Sequence, residues 1–266
     1  MTAAIPTTTP PAPGGLAWTI SDGWEMTRRM LLHFVRVPYT LVFTAMQPIM
    51  FALLFRYVFG GAFDVPGDYV DFLMPGVFAM AVGFGAITTA IGIAADMETG
   101  AIDRFRSLPM ARSAVLVGHT SADFLRSALV VVLVIAMGFL IGFDIHTTWP
   151  AFLAGVAIIL AFSYALIWGS ALVGIISPNA QSAEGMIFTG LFPLTFASSA
   201  FAPTDSMPGW LRVFTEHQPF SAVINAARAL MLGGPTTTAV VTALAWIAGM
   251  LLIFVPSAVY RYRRIR

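Results

Sequence analysis

The sequence predicts an all-α integral membrane protein that crosses the bilayer six times. Three observations carry this. Of its 266 residues, 58% are hydrophobic and 10% charged, against roughly 45–50% and about 25% in a soluble domain. The apolar residues fall into stretches of about 20, the length a membrane helix needs. The basic residues gather in a few of the connections between those stretches.

Five stretches qualify directly: Tyr39–Phe59, Leu73–Ala94, Ser127–Phe143, Ala151–Ile176 and Ala239–Tyr260. A sixth, Gly185–Pro203, is interrupted by Pro193 and rich in Thr and Ser. The third is short unless its helix starts earlier, near Val115. The expected spans are therefore 39–59, 73–94, 115–143, 151–176, 185–203 and 239–260.

Arginine sets the orientation. All fourteen basic residues are Arg. Arg28, Arg29 and Arg36 precede the first span, and Arg104, Arg106 and Arg112 lie between the second and third. Arg261, Arg263, Arg264 and Arg266 follow the last. Residues 60–70 and 144–150 hold acids and no Arg. Both termini and the 96–112 loop are thus expected in the cytoplasm, which an even number of spans allows. The Arg-only basic set, with abundant Ala, Gly and Val, fits a GC-rich bacterial genome.

Residues 1–15 are Pro- and Thr-rich and read as a disordered tail, leaving 16–266 as one membrane domain. Within 16–37, Leu16, Ile20, Trp24, Leu31 and Val35 recur near helical period, with Asp22, Glu25, Arg29 and Arg36 largely on another face. This reads as an amphipathic helix along the cytoplasmic membrane surface.

As first delimited, the spans contain no Asp, Glu, His or Lys, and Arg56 can snorkel from a span end. Proton-coupled transporters use titratable groups at membrane depth, so this argues against them. A chain without Lys has no GxxxxGK[ST] phosphate loop. The chain has no Cys, and His33, His119, His146 and His217 form no ligand motif. No metal site and no catalytic constellation are expected.

What remains inside the spans is uncharged polarity. Thr44, Gln47, Thr88, Thr195 and Ser199 are the candidates for a substrate path along the first, second and fifth spans, with helix packing as the alternative. Pro48 and Pro193 are expected to kink their helices. Gly138 and Gly142 form a GxxxG pair that permits close helix approach.

The 96–112 loop carries Ile102, Phe105 and Leu108 near helical spacing, among Glu98, Asp103, Arg104, Arg106 and Arg112, before Pro109 stops the pattern. A short helix with an apolar edge and Arg side chains suits docking on another protein. A loop resting on lipid headgroups is the alternative.

The segment Glu98-Thr99-Gly100, then Asp103-Arg104-Phe105-Arg106-Ser107-Leu108-Pro109-Met110-Ala111-Arg112, resembles the region after the second span of ABC-2-type permeases. Phe192-Pro193-Leu194-Thr195-Phe196 through Pro203, then Met207-Pro208-Gly209-Trp210-Leu211, is similar to that family's signature around the fifth span. Gln218-Pro219 with Ala227-Arg228-Ala229-Leu230 resembles its continuation, where Asn-Pro is more usual. The nearest type is the daunorubicin-resistance drug or lipid exporter.

The resemblance implies the membrane subunit of an exporter in the bacterial cell membrane, with no cofactor of its own. ATP and Mg would sit on a separate ATPase subunit. A second permease copy and membrane lipid would be its other partners, with no nucleic acid. It also implies that the N-terminal helix, with Arg28 and Arg29, and a coupling helix carrying Glu98, Asp103, Arg104, Phe105, Arg106 and Arg112 contact the ATPase. Re-entrant helices are implied between spans five and six. A cell-envelope polysaccharide or glycolipid is the alternative cargo, and ATP-independent secondary transport the alternative mechanism.

Overall fold

The computed structural model describes residues 38–61, 65, 67–99 and 114–264, and among these every regular element is helical. The predicted N-terminal helix, the 96–112 loop from residue 100 onward and the 1–15 tail lie outside the described residues.

Helix α1 spans Pro38–Leu54 and continues as a π-helical turn, Phe55–Phe59. α2 spans Tyr69–Gly85, and after a turn at Ala86 the chain continues as α3, Ile87–Glu98. α4 is Ala114–Leu140, α5 Trp149–Ile176 and α6 Ala180–Phe196. A 3-10 turn, Thr204–Ser206, precedes α7, Gly209–His217, and α8, Pro219–Leu232. α9 is Thr236–Arg264.

Among the described residues, four helical stretches are long and apolar enough to cross a membrane: Tyr69–Glu98, Leu116–Leu140, Trp149–Ile176 and Thr236–Arg264. α1 and α6 are shorter.

α2 is the axis of the bundle. All its residues except Phe72 and Phe84 are buried, as expected of a helix apolar on every side. It touches α1, α4, α5, α6 and α8. α9 is the opposite case. Only Ala243, Ile247, Ala258 and Tyr262 of it are buried, and it packs on α5 and α8 from outside. Its remaining apolar surface suits lipid.

Small residues set the closest approaches. A Cβ on Gly76 would lie 2.6 Å from the Ala200 carbonyl oxygen, so the α6–α7 connection presses on α2. A Cβ on Gly174 would lie 2.6 Å from the Ala90 carbonyl oxygen, which brings α5 against α3.

Several boundaries differ from the sequence reading. The second span starts at Tyr69 and breaks at Ala86, so Asp71 falls in its first turn. The fifth runs Ala180–Phe196 and not to Pro203. Pro193 lies in its last turn, and the Ala197 N–H closes the helix on the Pro193 carbonyl at 2.8 Å. Gly138 and Gly142 make no shared helix face. α4 ends at Leu140, and Gly142 sits in the following turn at φ +93°.

Gly76→Ala is expected to destabilise by about 1–3 kcal/mol through overpacking, although Ala favours a helix by about 1 kcal/mol. Gly185→Ala, with open space around it, is the control and should be neutral or stabilising. Unfolding in mixed detergent reads both. Equal effects at the two sites would contradict the Gly76–Ala200 contact.

Candidate functional site

The polar groups of the bundle gather in three places. The first lies where α2, α3 and α4 meet, on the side from which residues 100–113 emerge. Asp123 is its centre and is 7% exposed. Thr89 of α3 donates its hydroxyl to Asp123 Oδ2 at 2.7 Å. Arg126 Nη2 lies 3.2 Å from Asp123 Oδ1 and donates to the Gly85 carbonyl at 3.0 Å. His119 Nδ1 sits 3.2 Å from Asp123 Oδ2, and its Nε2 lies 3.9 Å from Asp96 Oδ2.

This cluster overturns the expectation of spans without titratable groups. That expectation rests on the stretch from Ser127, although the expected span 115–143 already takes in His119, Asp123 and Arg126. α4 begins at Ala114, so His119, Asp123 and Arg126 are part of it. The signal was present in the sequence: His119, Asp123 and Arg126 are spaced i, i+4 and i+7, one helical face. Thr89, treated as an ordinary polar residue, is the partner on α3.

The second place is the end of α6. Pro193 and the stop at Phe196 leave carbonyls there needing donors. Gln218 Nε2 donates to the Leu194 carbonyl at 2.8 Å and the Ala197 carbonyl at 3.2 Å. Its Oε1 accepts from the Phe220 N–H at 3.1 Å, capping α8. Thr215 donates to the Ala197 carbonyl at 3.0 Å. Arg228 reaches across to the carbonyls of Phe72 and Ser199, at 3.0 and 2.8 Å. Its guanidinium carbon lies 3.8 Å from the Phe72 ring centroid.

The third place straps the 141–148 loop onto the bundle. Asp71 accepts from the Asp144 N–H at 2.9 Å and pairs with His146 Nε2 at 2.7 Å. The His146 N–H donates to the Met231 carbonyl, and the Thr147 hydroxyl to the Leu230 carbonyl at 2.6 Å.

The substrate-path candidates do not converge on one cavity. Thr44 borders a tight crevice, with no room for a water molecule, shared with Ala81, Gly85, Arg126, Ser127 and Val130. Gln47 and Thr88 are exposed, and the Thr88 hydroxyl is used on the Gly85 carbonyl at 2.8 Å. Thr195 is buried near Gly83, its hydroxyl without a hydrogen-bond partner. Ser199 is buried and donates to Asn225 Oδ1 at 2.9 Å.

Of the coupling candidates, Glu98 is exposed at the last turn of α3. Arg28, Arg29, Asp103, Arg104, Phe105, Arg106 and Arg112 lie outside the described residues. Among the described residues, no group of three or more His, Asp or Glu is disposed to hold a metal ion.

The sequence pattern of the ABC-2 type transporter family matches residues 22–232. The chain is 30% identical to a daunorubicin resistance ABC transporter permease of Streptomyces coeruleorubidus, over 88% of this chain and 83% of that one. It is 23% identical to a "probable doxorubicin resistance ABC transporter permease" of Mycobacterium tuberculosis, over 97% of this chain and 94% of that one.

The strap gives a pH test. The hydrogen bond from His146 to Asp71 raises the His146 pKa above its usual value. A raised histidine contributes its stability fully below about pH 6.5 and loses it as pH rises through the folded value. The melting temperature should therefore fall from pH 6 to pH 8, and less so in His146→Gln. Identical pH profiles for the two proteins would show that the pair does not hold the loop.

Proposed function

The chain belongs to the ABC-2 type transporter family, and we propose that it is the permease subunit of an ATP-driven exporter of an amphipathic drug, lipid or polyketide-like molecule. The observation that carries this is its likeness, over most of both chains, to a permease named for daunorubicin resistance. A chain without Lys has no phosphate loop of its own, so ATP and Mg would be held by a separate ATPase subunit. A second permease, identical or paralogous, would complete the pathway.

Six spans are the arrangement we propose: α1 with its π-helical turn, α2 with α3, then α4, α5, α6 and α9. α6 is the shortest, at 17 residues and about 26 Å. It is close enough to the hydrocarbon thickness for a modest local adjustment. α7 and α8 would be the re-entrant pair. α7 exposes Trp210, Val213 and Phe214 while Arg212 pairs with Glu216 at 2.7 Å, the division expected at a membrane surface. Both termini would be cytoplasmic, in the cell membrane of a bacterium.

The N-terminal residues Arg28 and Arg29 and the loop residues Glu98, Asp103, Arg104, Phe105, Arg106 and Arg112 would meet the ATPase. Arg forks hold carboxylates bidentately, which suits a joint under load. Cargo would pass near Thr44, Gln47, Thr88, Thr195 and Ser199.

The buried Asp123 and His119 support one other reading, transport driven by a proton gradient, since such groups mark proton relays in membranes. It predicts uptake by the purified chain alone in vesicles under an imposed pH gradient.

Under the ATP-driven reading, vesicles holding the chain and its ATPase should transport daunorubicin only with ATP. Arg104→Glu/Arg106→Glu should lower substrate-stimulated hydrolysis about tenfold, the loss of roughly one charged contact, without altering helix content. Normal stimulation in that double variant would remove these residues from the coupling role.

A further inference from the structure

We propose that Asp123 is the pin of a joint that fixes α3 on α4, so that the two stems of segment 100–113 move as one rigid lever. The mechanical use of the joint rests on the ATP-driven reading; the joint itself does not.

α3 is joined to α2 by a nearly continuous helical backbone. It follows a turn at Ala86, where the N–H bonds to both Val82 and Gly83 carbonyls. Along its length α3 leans on α5 and α6 and meets α4 at few points. One of these is Gly92, where a Cβ would come within 3.2 Å of the His119 ring. Only a residue without a side chain lets the imidazole lie this close. Ile93 and Leu116 add an apolar contribution to a small cluster shared with Trp168, Ile175 and Tyr262.

The rest of the tie is polar: Asp96 of α3 faces His119 of α4 at 3.9 Å, and the buried part passes through the Asp123 carboxylate. Asp123 takes the Thr89 hydroxyl from α3 and faces Arg126 and His119 from its own helix. Arg126 then extends the joint to the last carbonyl of α2, at Gly85. A cation at a helix C-terminus is favoured by the helix dipole. Thr89 is fully buried and Arg126 4% exposed. In an interior without water, separating α3 from α4 would leave the buried Thr89 hydroxyl without its acceptor and take one donor from the Asp123 carboxylate, which Arg126 and His119 of its own helix would still face.

The joint sits symmetrically. Thr89 precedes the end of α3 at Glu98 by the same number of residues as Asp123 follows the start of α4 at Ala114. Each arm is about 14 Å long. A push on the segment between them would be delivered to both spans together.

The absence of cysteine makes the test clean. Nitroxide labels on Glu98→Cys and Ser121→Cys, in the full chain in nanodiscs, should show one narrow distance distribution. Thr89→Val preserves shape and removes only the hydroxyl. It should broaden the distribution, and Thr89→Ser should restore it. Asp123→Ala should broaden it further where it folds.

In vesicles with the ATPase, unlabelled Thr89→Val should lower transport per ATP hydrolysed by at least about threefold while still binding the ATPase, with Thr89→Ser again near the unsubstituted chain. A distribution that stays narrow in Thr89→Val would overturn the joint. Broadening with unchanged transport per ATP would overturn its role as a lever. An unsubstituted chain that neither transports nor stimulates hydrolysis would sink the ATP-driven reading and the lever with it. The distance measurement would still decide the joint.

Discussion

A polar group carried into the interior of this bundle has no water to fall back on, so a carboxylate or an open carbonyl there is costly unless another side chain or backbone group meets it. Much of the arrangement follows from that constraint. The Asp123 carboxylate is met by Thr89 and Arg126, the broken end of α6 by Gln218 and Thr215, and the Asp71 carboxylate by the 141–148 loop. Apolar side chains fill the space between these points, but apolar contact has no preferred partner. The polar ties select which helices stay in register.

The three ties stand where helices begin, break or end. α2 gives way to α3 at Ala86, α6 stops just beyond Pro193 where α8 opens, and Asp71 in the first turn of α2 meets the loop between α4 and α5. A helix end exposes backbone groups that the helix itself cannot satisfy. Arg126 on Gly85, Gln218 on Leu194 and Ala197, and Arg228 on Phe72 and Ser199 each bring a side-chain donor to such a carbonyl or to one near it. The Gln-Pro at 218–219, unusual beside the family's common Asn-Pro, places a side chain long enough to cap α8 and reach two carbonyls of α6 at once.

Under the proposed lever, the polar ties would also separate a part of the bundle that stays from a part that moves. α2 is enclosed and held by close contacts such as Gly76 on Ala200. α3 is held against α4 mainly by the Asp123 cluster. A bundle meant to switch between two packings needs one part that stays and another that moves as a unit. A central α2 and a pinned α3–α4 pair provide that division.

Composition and periodicity alone determined the helical membrane class, the approximate positions of the apolar stretches and the irregularity near Pro193. Apolar length and charge clustering are local properties, legible along one chain. The family was suggested separately, by the resemblance of the ordered motifs at 98–112 and 192–230. Composition and periodicity did not reveal the Asp123 joint: its charges fall inside the expected 115–143 span, but Thr89 and Asp123 are 34 positions apart, and no pattern along the chain pairs them. Nor did they show that Thr44, Thr88 and Ser199 belong to separate places, or that Gly142 turns a loop instead of lining a helix. Which polar group meets which is decided only when helices distant in sequence are brought side by side. A buried hydrogen bond depends on distances of about 3 Å, and no spacing along the chain sets those.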